Sequence, residues 1–298
     1  MPRRHTPILG YRGHYGNHIV STLPNRHVRS SGPAPHRRGI LLSVLTDDDK
    51  LLQDYLEGFL TPRRKERMRQ VLAERTRYIL CVLEDLYDPR NGSAVLRHCD
   101  ALGIHEVHAV ENKNLFKSDE QVDMGTAQWL DLHIHRLAGN APRSVKGRRR
   151  AAAAALTGEA PPVESNTPSV LASLKDRGYR IAATSPHGDD DAVPETLDLA
   201  AGPVAVVFGT EKYGISDEVK DAADVFLRIP MVGFVESFNL SASAAIVFHV
   251  LSRRLRSEGL PWRLTEDDER EIYFRWVKGS APHAEKLIRE FREKQQSG

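Results

Sequence analysis

Four short segments hold the side chains that could do chemistry. The first is Pro89-Arg90-Asn91-Gly92-Ser93-Ala94-Val95-Leu96-Arg97. Asn91 stands where a helix should begin, and N-capping alone would explain it. Arg97 falls one to two turns into that helix, beside apolar Ala94, Val95 and Leu96; a solvated surface arginine is the plain alternative. The second segment is Phe208-Gly209-Thr210-Glu211-Lys212-Tyr213-Gly214, a polar loop between two glycines. No Lys-Ser or Lys-Thr follows the second glycine, so it is not a phosphate loop, and it is not a dinucleotide glycine fingerprint either. A bare strand-to-helix turn would also account for it, with glycine allowing close backbone approach. The third runs from Ile229-Pro230-Met231-Val232-Gly233 to Ser237-Phe238-Asn239-Leu240-Ser241. Ser237, Asn239 and Ser241 crowd donors and acceptors around a helix start, and capping explains one of the three. The fourth, Thr184-Ser185-Pro186-His187-Gly188, is by itself an ordinary turn.

Apolar runs that read as strands deliver these segments. They fall at 78–83, 107–110, 132–135, 179–183, 204–208 and 225–229, with helical patterns at 91–102, 168–177, 217–223 and 239–257. Strands alternating with helices predict an α/β fold, a mainly parallel sheet flanked by helices. Ligands of such sheets bind beyond the carboxyl ends of the strands, where all four segments begin. The predicted organisation is a disordered basic tail over 1–45, a helical arm over 46–75, an α/β domain over 76–257 and a helical extension over 258–298. A basic, alanine-rich insertion at 139–167 interrupts the domain. Thr46-Asp47-Asp48-Asp49 is a good start for the first arm helix, and Thr61-Pro62 for the second.

Two cysteines, Cys81 and Cys99, both in apolar runs, read as buried reduced thiols of a cytoplasmic protein. They are too few for a zinc site of the usual cysteine spacing, and no metal is expected. No apolar run reaches membrane-spanning length, and no apolar stretch follows the N-terminal arginines, which argues against a membrane protein and a secretory leader. The net charge of +2 hides its distribution. Seven arginines and no acidic residue occupy the first forty positions; further basic runs lie at 143–150 and at Arg253, Arg254 and Arg256. The second arm helix carries Arg63, Arg64, Lys65, Arg67, Arg69 and Arg75. Local clusters of this kind suit phosphate contacts, and solvated surfaces are the alternative.

Taken in order, the segments resemble the SPOUT-class RNA ribose 2′-O-methyltransferases of the SpoU/TrmH type. Asn91, Ala94 and Arg97 match that family's first motif. Gly209, Glu211 and Gly214 match the second, and Ile229, Pro230, Met231, Gly233, Ser237, Asn239 and Ser241 the third. Within the family the chain is most similar to enzymes that methylate guanosine 18 in the tRNA D-loop, through residues 83–91 and 103–110 and the short helical arms. Phe238 stands where leucine is usual.

The resemblance implies a C-terminal trefoil knot made from the loops near 184–188, 209–214 and 229–241. It implies S-adenosylmethionine bound by Thr184, Gly209, Ile229 and Phe238, and a homodimer whose active sites draw on both subunits. Arg97 would be the catalytic cation, clamping a phosphate and stabilising the developing alkoxide, since an arginine is a poor proton acceptor. Asn91, Glu211, Ser237 and Asn239 would orient it and the ribose. Arg63, Arg64, Arg67, Arg90 and Arg253 are the candidate contacts to tRNA, or to rRNA as the alternative substrate. A catalytically inert RNA-binding relative would lack Arg97 or Asn239, and both are present. An unrelated doubly wound enzyme would need a phosphate or dinucleotide motif, and neither is found.

Overall fold

A computed structural model describes residues 45–116, 125–136, 165–185 and 191–296. The expected tail, most of the 139–167 insertion and the 186–188 part of the fourth segment lie outside the described residues.

The strands are β1 (Ile79–Glu84), β2 (Glu106–Glu111), β3 (Asp131–Arg136), β4 (Arg180–Thr184), β5 (Val204–Phe208) and β6 (Val225–Leu227). They form one sheet in the order β3-β2-β1-β5-β4-β6, and every pairing is parallel. The last strand is shorter than expected, ending at Leu227 and leaving Ile229 in the following loop. Between the strands run α3 (Pro89–Leu102), α4 (Thr167–Asp176), α5 (Asp217–Ala222) and, after β6, α6 (Leu240–Ser257).

Both sheet faces are covered, which is why β1 as far as Leu83 and the whole of β5 are apolar rather than alternating. Ile79, Cys81 and Leu83 pack with Val95, Leu96 and Cys99 of α3 and Val247, Phe248 and Leu251 of α6. Leu80 and Val82 point the other way, to Val170, Leu171 and Leu174 of α4 and Val219 of α5. Each large side chain so buried contributes about 1.5–3 kcal/mol. Cys81 and Cys99 are free and buried as expected, and burial pushes the Cys81 thiol up.

This division of faces sets the place of the site. β1 and β5 are neighbours, yet β1 feeds α3 on one face and β5 feeds α5 on the other. Their carboxyl ends therefore part, and a crevice opens between the loops that follow them.

The described helices that precede β1 and follow α6 meet in a separate helical layer. The helices α1 (Asp47–Glu57) and α2 (Pro62–Leu72) pack with α7 (Glu266–Ser280) and α8 (Ala284–Gln296) around Leu52, Leu56, Met68, Leu72, Ile272 and Trp276. Thr46 and Asp49 form a reciprocal capping box at the start of α1, as the sequence predicts. Arg77 ties this layer to the sheet through Asp268 (2.5 Å) and Asp131.

Candidate active site

The helix α3 begins two residues earlier than its sequence signals suggest. Asp88, not Asn91, is the N-cap: its carboxylate accepts from the Arg90 amide at 2.9 Å, and Pro89 takes the first helical position. The capping role expected for Asn91 is thereby corrected, and its side chain is released for another partner. Asn91 is buried and its Nδ2 donates to Glu211 Oε1 at 2.9 Å. Its Oδ1 accepts from Asn239 Nδ2 at 3.1 Å. Glu211 also accepts from the amides of Tyr87 and Asp88, both at 3.2 Å. Three residues from three separate motifs thus meet in one hydrogen-bonded set across the crevice.

Asn239 has a second duty. Its Oδ1 accepts from the Ser241 amide (2.9 Å) and the Ser241 hydroxyl (2.6 Å), capping α6. Capping therefore accounts for Asn239 and Ser241, and leaves Ser237 exposed at the rim.

The crevice continues into a cleft of 640 Å³ between the loops after β4, β5 and β6. Thr184, Gly209, Ile229 and Phe238, the four expected cofactor residues, all line it, and so do Glu211, Ser237 and Asn239. Phe208, Leu227, Leu240 and Val247 give it an apolar floor. Thr184 is part of the frame, its hydroxyl donating to the Val207 carbonyl at 2.9 Å. Gly209 meets a local demand: a Cβ there would lie 2.2 Å from the Gly214 carbonyl. Paired hydrogen bonds between Thr210 and Gly214 close that loop, and Gly214 takes a left-handed φ of 68°.

Arg97 is not brought into the cleft. It lies on the exposed side of α3, six residues beyond Asn91, and is not among the lining residues. Six residues are about 9 Å of rise on a helix and turn the side chain well away from the Asn91 face.

The basic candidates divide. Arg67 of α2 and Arg253 of α6, both exposed, border one depression together with Gln70 and His249. Arg63 is exposed at the start of α2, while the Arg64 guanidinium lies over the Trp129 ring, 4.7 Å from its centre. Arg90 is exposed and paired with Asp88 at 3.3 Å. Other arginines of the same runs are structural. Arg254 donates to the carbonyls of Pro194 and Leu197, both at 2.8 Å, and Arg256 to that of Glu74 at 2.9 Å. Arg75 is buried against Asp100, and Arg69 stacks over Tyr273.

Sequence reasoning missed the residues that hold the loops. Buried Glu84 accepts from the Ser216 hydroxyl (2.6 Å) and the Thr167 hydroxyl (2.8 Å). Asp85, at a φ of 51°, accepts from the amides of Asn112, Lys113 and Asn114. The available signal was an acidic pair at the end of an apolar strand, where a buried carboxylate needs several donors.

The architecture defines a parallel α/β protein with a cleft at the switch of its sheet, framed by a polar set of two asparagines and a glutamate. Residues 140–249 match the SpoU rRNA Methylase family. A tRNA (guanosine(18)-2'-O)-methyltransferase of Borreliella burgdorferi is 32% identical over 81% of this chain and 99% of its own length. The enzyme of the same description from Thermus thermophilus is 30% identical over 73% of this chain and 97% of its own. The solved Aquifex aeolicus TrmH/SpoU tRNA modifying enzyme shares the fold, with a TM-score of 0.57 at 22% identity over 74% of this chain and 98% of that one. The chain belongs to the SpoU methylase family.

Proposed function

We propose that this protein uses S-adenosylmethionine to methylate the ribose 2′-hydroxyl of guanosine 18 in tRNA. The observation that carries the reading is the Asn91–Glu211–Asn239 set at the mouth of the cleft, in a chain whose relatives are named for that activity. The cleft suits the cofactor: its size falls within the usual range for such sites, with an apolar floor for a flat base and polar groups at the rim. Thr184, Gly209, Ile229 and Phe238 would hold it. When bound, it supplies a sulfonium methyl as electrophile for a ribose 2′-oxygen.

The chain's own part is positioning and charge. Asn91 uses both ends of its amide inside the set, Asn239 uses one there and the other to cap α6, which locks both rotamers, and Glu211 is fixed by two backbone amides. The set therefore presents a rigid polar wall for the ribose, and rigid positioning is a large share of catalysis in a displacement of this kind. Arg97 contributes positive charge beside the developing alkoxide and the neighbouring phosphate. Since Arg97 lies away from its own cleft, it serves the cleft of a second copy in a homodimer. The loops at 209–214 and 229–241 form a trefoil knot that keeps the cleft rigid. The arm 46–75, with Arg63, Arg64, Arg67, Arg90 and Arg253, grips the RNA, and the protein works in the cytoplasm without needing a membrane. Among the described residues, no helix is long and apolar enough to cross one.

Mapping 2′-O-methyl groups in total RNA from a deletion strain tests the assignment. Loss confined to tRNA guanosine 18 supports it. Loss confined to rRNA supports the second reading, favoured by the rRNA description of the matching family.

A further inference from the structure

A second polar cluster lies far from the cleft, on the β2–β3 edge of the sheet. Residues i and i+2 of a strand share a face, so Glu106 and His108 point the same way, as do His133 and His135. The parallel register sets His108 opposite His133. The imidazoles of His108, His133 and His135 stack, with ring centres 4.7 Å apart for the first pair and 5.1 Å for His108 and His135.

We propose that Glu106, His108 and His133 form a binding site for one divalent transition-metal ion, zinc in the first instance. One donor atom from each residue lies within 4.8 Å of the other two. His108 Nε2 is 2.7 Å from Glu106 Oε1, and His133 Nε2 is 3.9 Å from the same oxygen, too far for a hydrogen bond. Donors on one tetrahedral zinc sit roughly 3.4 Å apart, so an entering ion replaces the His108–Glu106 hydrogen bond, opens that pair by about 0.7 Å and draws partly exposed His133 inward. Ring nitrogens that bind metal are oriented by a partner on the other nitrogen, and His108 has one: its Nδ1 is 2.8 Å from His135 Nε2. Two imidazoles and a carboxylate make a familiar zinc donor set, completed by water on the side of partly exposed His133.

Charge argues for the kind of metal. Arg177 grips both oxygens of Glu106, at 2.6 and 2.8 Å, and Arg77 lies 3.7 Å away. A carboxylate oxygen has two lone pairs, so Arg177 and a metal can share Oε1. The guanidiniums nevertheless cancel the negative charge that magnesium or calcium would need. Affinity must come from the imidazoles, which selects zinc, copper or nickel. The cysteine count gave no hint of this site, because its ligands come from two strands and meet only through their pairing.

The test uses the untagged full chain after chelation, titrated with Zn²⁺ by calorimetry and with Co²⁺ by visible absorption. The proposal expects one strong equivalent per chain and cobalt bands of a tetrahedral site. His133→Ala, at a half-exposed position, should keep the circular dichroism spectrum and methyl transfer while weakening that equivalent at least tenfold. Residues 1–44 contain five histidines of their own, so binding that is unchanged in His133→Ala would assign the metal to them and overturn the proposal. Absence of stoichiometric binding to the wild type would overturn it as well.

Discussion

The cleft and the helical layer use the same kinds of residue to opposite ends. In the helical layer, charged side chains are consumed by structure: Arg75 is buried on Asp100 and over the Trp276 ring, and Arg77 bridges Asp131 and Asp268. At the cleft, polar side chains fix one another and leave the loop around them open. Val232, Phe234 and Val235 are exposed apolar residues on that loop, a few positions from Ser237 and Asn239. One region spends its guanidiniums on carboxylates and rings of its own chain. The other is finished only on the side that faces the sheet, which is the condition of a surface that receives ligands.

The sharpest way to break this contrast is to exchange the expected losses. Arg75→Ala removes a buried guanidinium from its hydrogen bonds to partly exposed Asp100 and should cost about 1.5–3 kcal/mol in chemical denaturation, with methyl transfer per folded molecule unchanged. Loss of activity without loss of stability would place Arg75 in the wrong region. Arg97→Ala should do the reverse. Its melting temperature and cofactor affinity stay near wild type, and turnover falls about 10²–10³-fold. Mixing inactive Arg97→Ala with inactive Asn239→Ala, after subunit exchange, should restore part of the activity if Arg97 serves the partner's cleft. No recovery from a mixed dimer would return Arg97 to its own cleft.

A smaller effect separates the arginines within a single run. Arg67→Glu and Arg253→Glu line one depression and should each weaken tRNA binding roughly tenfold. Each should also lower the slope of log affinity against log salt by about one. Arg254→Ala, whose guanidinium holds the carbonyls of Pro194 and Leu197, should leave that slope alone and lower stability instead. Equal salt slopes in wild type and Arg253→Glu, measured by filter binding, would remove Arg253 from the RNA surface.

These contrasts also show what could be read from the sequence. The parallel sheet was legible because most of its strands are short apolar runs, and four of the six are followed by a helical period. The cleft was legible because the three motifs begin where the strands end. The N-cap of α3 was legible in principle: Pro89 prefers the first helical turn, which makes Asp88 the cap and frees Asn91. What stayed hidden depends on contacts between distant segments. Arg254 and Arg253 are indistinguishable in sequence, and only the carbonyls of Pro194 and Leu197 separate them. The Arg97 position on α3 could be counted from Asn91, but its distance from the cleft could not. The arms on either side of the sheet domain were visible as helices rich in charge; that they complete each other's core was not.

The central claim is that the group methylated is a ribose 2′-hydroxyl presented beside Asn91, Glu211 and Asn239. It is tested most directly with two synthetic tRNAs that differ by one atom, one carrying guanosine and the other 2′-deoxyguanosine at position 18. Labelled methyl transfer from S-adenosylmethionine is then followed by nucleoside mass spectrometry. The account predicts a single 2′-O-methylguanosine in the first tRNA and no incorporation into the second. Equal incorporation into both, or a methyl group found on a base, would contradict it.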